Sequence, residues 1–103
     1  MNALGTFAEP GVLILASLAG GPKHGYALIK DIEGFAGARL GPGTLYAALS
    51  RLEQRGLVEA LPAQDRRHPY RLTAAGAEAA RSYLQHARQV TATGLARLEG
   101  YAW

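Results

Sequence analysis

Arg66, Arg67 and His68 follow one another inside a polar run bounded by Pro62 and Pro69, and upstream Thr44, Ala47, Ser50 and Arg51 recur at spacings of three and four. Guanidinium groups bind phosphate through paired N–H donors, while short hydroxyl, methyl and Arg side chains on a helix can read base edges in a DNA major groove. Both sets therefore fit one chemistry, contact with a polyanion whose groove admits a helix. The charge is distributed to match. The chain has 103 residues and a formal net charge of +3. Residues 39–71 hold six arginines against Glu53, Glu59 and Asp65, which accounts for the whole excess, and the remainder is balanced. A clustered excess of positive charge is the electrostatic footprint of a nucleic-acid partner.

Catalysis fits the sequence poorly. His24, His68 and His86 are scattered, and neither Asp31 nor Asp65 has a matched nucleophile or base near it in sequence. Gly41-Pro42-Gly43 is too short for a phosphate-cradling loop and lacks its Lys-Ser/Thr ending. No histidine pair has the i, i+4 spacing of metal ligands, so no metal and no cofactor are expected. The chain contains no cysteine, which excludes disulfides and fits a reducing cytoplasm. Its longest apolar run, 11–16, is far shorter than the roughly 18 residues of a membrane span, and the N-terminus lacks the basic start of a signal peptide. With 49% hydrophobic and 18% charged residues the composition is globular.

The elements that must position these side chains can be read from periodicity. Thr6-Phe-Ala-Glu9 has capping-box spacing and predicts the start of a first helix, with Pro10 inside its first turn. Val12, Leu13, Ile14, Leu15 and Leu18 leave that helix no polar face, so it should be buried on most sides. Gly20-Gly21-Pro22 stops it. A second helix is expected from Lys23 or His24 to Phe35, with Leu28, Ile29, Ile32 and Phe35 inward and Lys30, Asp31 and Glu33 outward. The third spans 41–56. Leu45, Ala48, Leu49 and Leu52 share one face, and Gly43, Ala47, Ser50 and Gln54 lie opposite, with Thr44 and Arg51 on a flank. Tyr46 points sideways, where packing against the second helix would set its hydroxyl near the backbone.

After Gly56 the period changes from helical to alternating. Residues 57–61 and 70–72 read as two short strands, and the turn between them carries Asp65, Arg66, Arg67 and His68 at its tip. Thr73 can cap a last helix of about 25 residues reaching Gly100, roughly 38 Å long. Ala80, Leu84, Ala87, Thr91, Leu95, Leu98 and Ala102, widened by Tyr83 and Val90, form a stripe along it that so small a domain cannot cover. The simplest cover is the same helix of a second subunit. The expected fold is mainly α with a small β-hairpin wing, a winged helix-turn-helix over 1–73 followed by a long C-terminal dimerisation helix over 74–103.

The residues themselves are also familiar. Residues 18–26 (LAGGPKHGY), the run from Gly43 to Glu53, Gly56-Leu57, and residues 70–76 (YRLTAAG) resemble the PadR-like transcriptional regulators in consistent order over roughly 5–76. The resemblance implies a homodimeric winged-helix repressor of the short C-terminal type, acting on a double-stranded DNA operator and controlled in many members by a small aromatic or amphipathic ligand. Two departures stand out. Pro69 occupies a wing position that is often basic or aromatic in the family, and the wing tip lacks glycine.

On this reading Pro42 and the free N–H groups of its turn meet a phosphate, favoured by the helix dipole. Thr44 and Ser50 bond base edges or phosphates, Ala47 touches a thymine methyl, and Arg51 meets a phosphate or a guanine. Tyr26 and Lys30 lie where the second helix crosses the DNA backbone, Arg66 and Arg67 reach the neighbouring minor groove or its phosphates, and His68 adds a contact beside them. Phe7, Tyr83, Tyr101 and Trp103 put aromatic surface on the first and last helices, the elements the resemblance assigns to the dimer interface, where an effector would bind. The rival reading is a winged helix used as a protein-interaction module. That role needs neither arginine at the wing nor a polar outward face on the third helix, and both are present.

Overall fold

Proline fixes where the first helix begins. The computed structural model describes residues 9–101, and in it α1 runs Pro10–Leu18 with Glu9 as an extended N-cap and no side-chain cap bond. This corrects the capping-box expectation, in which Glu9 would lie a turn inside the helix. The proline ring disfavours the α conformation in the residue before it, so Glu9 is extended and the helix starts one residue later. Thr6 and Phe7 lie outside the described residues.

The second helix, α2, is Gly25–Ala36, with His24 as N-cap through an Nδ1 that accepts the Ala27 N–H at 3.4 Å. Gly37 closes it in the left-handed conformation at φ 66°. The third, α3, spans Pro42–Gln54, and Gly56 at φ 74° turns the chain out of it. Strands β1 (Val58–Ala60) and β2 (Tyr70–Leu72) pair antiparallel, Val58 with Leu72 and Ala60 with Tyr70. Lys23 joins this hairpin as a third partner, exchanging backbone hydrogen bonds of 3.1 and 2.8 Å with Tyr70. The last helix, α4, is Ala74–Glu99, 26 residues, capped by Thr73 Oγ1, which accepts the Gly76 N–H at 3.0 Å.

The core forms where α1, α2 and α3 meet. Ile14, Leu28, Ile32, Leu45, Leu49 and Val58 are its largest fully buried side chains, and Ala80 is the residue through which α4 joins it. Ser17, also buried, donates from Oγ to Asp31 at 2.5 Å, and Lys23 Nζ bonds the Ser17 carbonyl at 2.6 Å. Asp31, expected outward, is therefore half-buried and held between α1 and the turn before α2.

One further expectation is corrected, and one is met. Phe35, expected inward, is 53% exposed. It stands a turn beyond Ile32 near the end of α2 and faces a groove between α1 and α4 that no described residue fills. On α4 only the start is covered, at Gly76 and Ala80. Tyr83, Leu84, Val90, Leu95 and Leu98 are 40–59% exposed, and the longest dimension of the molecule is 57 Å. The stripe read from the sequence is thus largely bare apolar surface; its last member, Ala102, lies outside the described residues. No helix among the described residues is long and apolar enough to cross a membrane.

Candidate nucleic-acid interface

Because Leu45, Ala48, Leu49 and Leu52 anchor α3 in the core, its opposite side must face solvent. Pro42, Thr44, Ala47, Ser50 and Arg51 are all exposed there. Gly41 caps the helix without a side-chain bond, which leaves the N–H groups of Gly43 and Thr44 without intrahelical acceptors at the positive end of the dipole. The exposed side chains are small, so this face can approach another surface closely.

Beside α3 stands the wing. Gln64 and Arg67 exchange backbone hydrogen bonds of 2.7 and 2.9 Å, closing a two-residue turn in which Asp65 and Arg66 take φ of 50° and 68°. Left-handed residues at both central positions are what a tight hairpin turn needs to match strand twist. Aspartate tolerates that conformation better than most side chains, so the turn closes without glycine. The consequence is a compact tip that presents Arg66 and Arg67 side by side. Their neighbour His68 is exposed too, but its Nδ1 lies 3.2 Å from the Leu61 carbonyl and is occupied by the wing itself.

Tyr46 links the two parts. It is 49% exposed, and its hydroxyl end rests on Gly25 so closely that a Cβ there would overlap it, as expected from its position. Around it, His24, Tyr26, Arg66, Arg67, His68 and Tyr70 line an open groove of about 320 Å³. The fold thus gathers Tyr26 with the wing residues, 40 and more positions apart in sequence. Lys30 lies one turn further along α2 and is exposed; Pro42, Thr44, Ala47, Ser50 and Arg51 stand on α3 outside this groove. Tyr70 is partly buried, and burial foremost, with Glu53 and Tyr46 nearby, holds its phenol above the ordinary range.

The electrostatics separate structural arginines from free ones. Arg71 bonds Glu59 across the hairpin at 2.5 Å, and Arg39 bonds Glu33 at 3.1 Å. Among the described residues, Arg51, Arg55, Arg66 and Arg67 form no ion pair. Arg67 Nη1 does approach His24 Nε2 at 3.4 Å. When His24 Nδ1 accepts the Ala27 amide, however, Nε2 carries the proton of the neutral ring and cannot accept from arginine. Arg67 therefore keeps its donors for another acceptor. Two contributors were missed in the sequence. Arg55, exposed at the C-cap of α3, was counted as charge but given no role. Gly25 is not identified from the sequence as the seat of Tyr46, although its place within residues 18–26 is a signal.

Of the aromatic candidates, the two described ones, Tyr83 and Tyr101, do not converge. Tyr83 lines an apolar groove of about 480 Å³ with Val12, Leu13, Phe35, Leu84 and Val90. Tyr101 lies beyond the end of α4, about 27 Å from Tyr83 along the helix axis. Phe7 and Trp103 lie outside the described residues. No group of three metal-ligating side chains occurs among the described residues.

Comparison with known proteins places this geometry. Residues 14–82 match the transcriptional regulator PadR-like family. The chain is 52% identical over 67 residues to an uncharacterized 37.1 kDa protein in transposon TN4556 of Streptomyces fradiae, a match covering 65% of this chain and 19% of that protein. The chain thus spans about a fifth of the length of this curated relative. It is similar in fold to a transcriptional regulator from Clostridium thermocellum, at 22% identity and a TM-score of 0.76, over 94% of this chain and 96% of that one. It is likewise similar to a PadR family transcription regulator from Clostridium difficile, at 24% identity and a TM-score of 0.79, over 88% and 99%.

Proposed function

Because the chain belongs to the PadR-like family of transcriptional regulators, which are not enzymes, we propose that it binds duplex operator DNA as a homodimer with α3 in the major groove and the wing over the adjacent minor groove. One observation carries this reading. The arginines left without ion pairs between residues 39 and 71 are those of α3, its C-cap and the wing tip, next to an exposed helix face of small polar residues. Four uncompensated guanidinium groups around a close-approach helix are the electrostatic footprint of a polyanion. Duplex DNA as the partner puts its place of action in the cytoplasm.

Each residue then has a role. The first turn of α3, from Pro42, offers backbone N–H groups to a phosphate. Thr44, Ala47 and Ser50 face base edges, and Arg51 bonds a phosphate or a guanine from the flank. Tyr26 and Lys30 follow the sugar-phosphate backbone; Arg66 and Arg67 reach the minor groove, with His68 beside them. The second subunit doubles all of this through pairing of α1 and α4, whose apolar stripe is bare in the single chain. As a repressor, the role the family resemblance implies, the regulator would act by occupying the operator and so blocking transcription. Selection from a randomised duplex pool is expected to return a two-fold symmetric site, with half-sites about one helical turn apart. Ser50→Ala should weaken binding to that site by about 1 kcal/mol, roughly fivefold, while leaving random duplex unaffected. Recovery of no preferred sequence would overturn operator reading.

Release by a small aromatic or amphipathic ligand is part of the same proposal. The apolar groove between α1 and α4 has the volume of a small-molecule site and borders the surface through which the subunits would pair. Flat aromatic compounds are expected to raise the melting temperature of the chain and to lower the anisotropy of a labelled operator complex. A panel that changes neither signal argues against an effector.

A further inference from the structure

Between the recognition helix and the long helix there is no slack. Leu72 ends β2 and Ala74 begins α4, so Thr73 alone separates wing from long helix. Its hydroxyl donates to the Gly56 carbonyl at 2.6 Å and accepts the Gly76 N–H at 3.0 Å. Its own amide donates to the Leu57 carbonyl at 3.1 Å, and Leu57 N–H donates in turn to Leu52 inside α3 at 2.9 Å. Gly76 is buried in the first turn of α4, flat against the Leu57 carbonyl, where a Cβ would overlap that oxygen. One side chain and one absent side chain therefore bind three parts together: the end of α3, the root of the wing, and the start of α4.

We infer that Thr73 and Gly76 are positioning residues for DNA reading, setting the angle between α4 and α3 so that the pairing of two long helices dictates the separation and tilt of two recognition helices. The inference rests on the DNA-binding reading above and adds the coupling to it. Neither residue belongs to the face proposed to meet DNA. A helix of 26 residues is a long lever; a tilt of about 10° at its base moves its far end by roughly 7 Å. A loop would absorb such a tilt. The contact at Thr73 has no loop, and the Gly56-Leu57 turn is held from both sides, so a shift in α4 moves α3 and wing as one body.

The separation of half-sites is a geometric requirement of symmetric operators, whereas non-specific binding depends on charge alone. The test uses the full chain as wild type, Thr73→Val, Thr73→Ser and Gly76→Ala. Affinity is measured by anisotropy for the duplex selected by wild type and for a random duplex. Thr73→Val keeps the shape but loses both hydroxyl bonds. It is expected to lower the ratio of the two affinities about tenfold, with random-duplex binding within about twofold and helical content unchanged. Thr73→Ser restores the hydroxyl and should recover the ratio. Gly76→Ala is expected to lower it further; since that substitution risks unfolding the chain, the Thr73 pair decides. An unchanged ratio in Thr73→Val, or parallel loss on both duplexes, overturns the inference. A wild type that shows no preference between the duplexes overturns the DNA reading itself, a separate outcome.

Discussion

Replacing Arg66 and Arg67 together by alanine is expected to weaken binding to every duplex and to flatten its dependence on salt. Both side chains are exposed, and the turn that carries them is closed by backbone bonds between Gln64 and Arg67, so the hairpin survives their loss. Alanine meets the positive φ of Arg66 with the same Cβ that arginine has. What changes is charge. A dimer using three or four basic groups per subunit neutralises about 6–8 phosphates, which gives a slope near −5 to −7 in log K against log salt. Removing two per subunit takes away about four phosphates and leaves a slope near −2 to −4. Between 50 and 200 mM salt the wild type should lose roughly three to four decades of affinity and the variant about one to two. At the low end of that range the variant should bind about a hundredfold more weakly or worse. Anisotropy titrations at several salt concentrations measure both quantities. An unaltered slope would remove the wing from the interface.

The second large effect belongs to α4. Leu95→Glu combined with Leu98→Glu is expected to give a monomer and to abolish tight operator binding. Leu95 and Leu98 are 59% and 52% exposed, so the chain loses no core contact when they are changed. In a symmetric pairing the same two positions arrive from both subunits, and four carboxylates would have to leave water at one apolar seam. A monomer keeps the contacts of one half-site but loses the second binding event, which linkage makes effectively intramolecular. The loss expected from that alone is about 10²–10⁴ in affinity. Light scattering reads the oligomeric state and anisotropy the affinity. A variant that stays dimeric shows that α4 pairs through another face, and a monomer with undiminished affinity shows that one subunit suffices.

Much of this molecule is legible in its sequence, for identifiable reasons. The inner face of α3 follows from Leu45, Ala48, Leu49 and Leu52, whose spacing admits one helical register. Thr73, a capping residue after an alternating segment, marks the start of α4, whose 26 residues match the expected length of about 25. The misreadings are equally local. Glu9 was assigned inside the first helix because capping-box spacing was weighed without the constraint that Pro10 puts on its predecessor. Phe35 continued the apolar pattern of α2, and periodicity carries no information about where the neighbouring helices end.

By itself, then, the sequence determined the elements, their order and the family to which the chain belongs, because caps, turns and periodic faces are decided by residues within a few positions of one another. It also determined that the excess charge lies between residues 39 and 71. Only the tertiary structure decided which of those six arginines are free. Arg71 is neutralised by a carboxylate 12 positions away across a hairpin and Arg39 by one on α2, whereas Arg66 and Arg67 are lifted clear by a left-handed turn. The seating of Tyr46 on Gly25, the bridge from Lys23 to Tyr70 and the clamp of Thr73 on Gly56 are likewise contacts between segments far apart in the chain. Such contacts depend on how helices and strands pack in space, and spacing along one chain does not encode that distance.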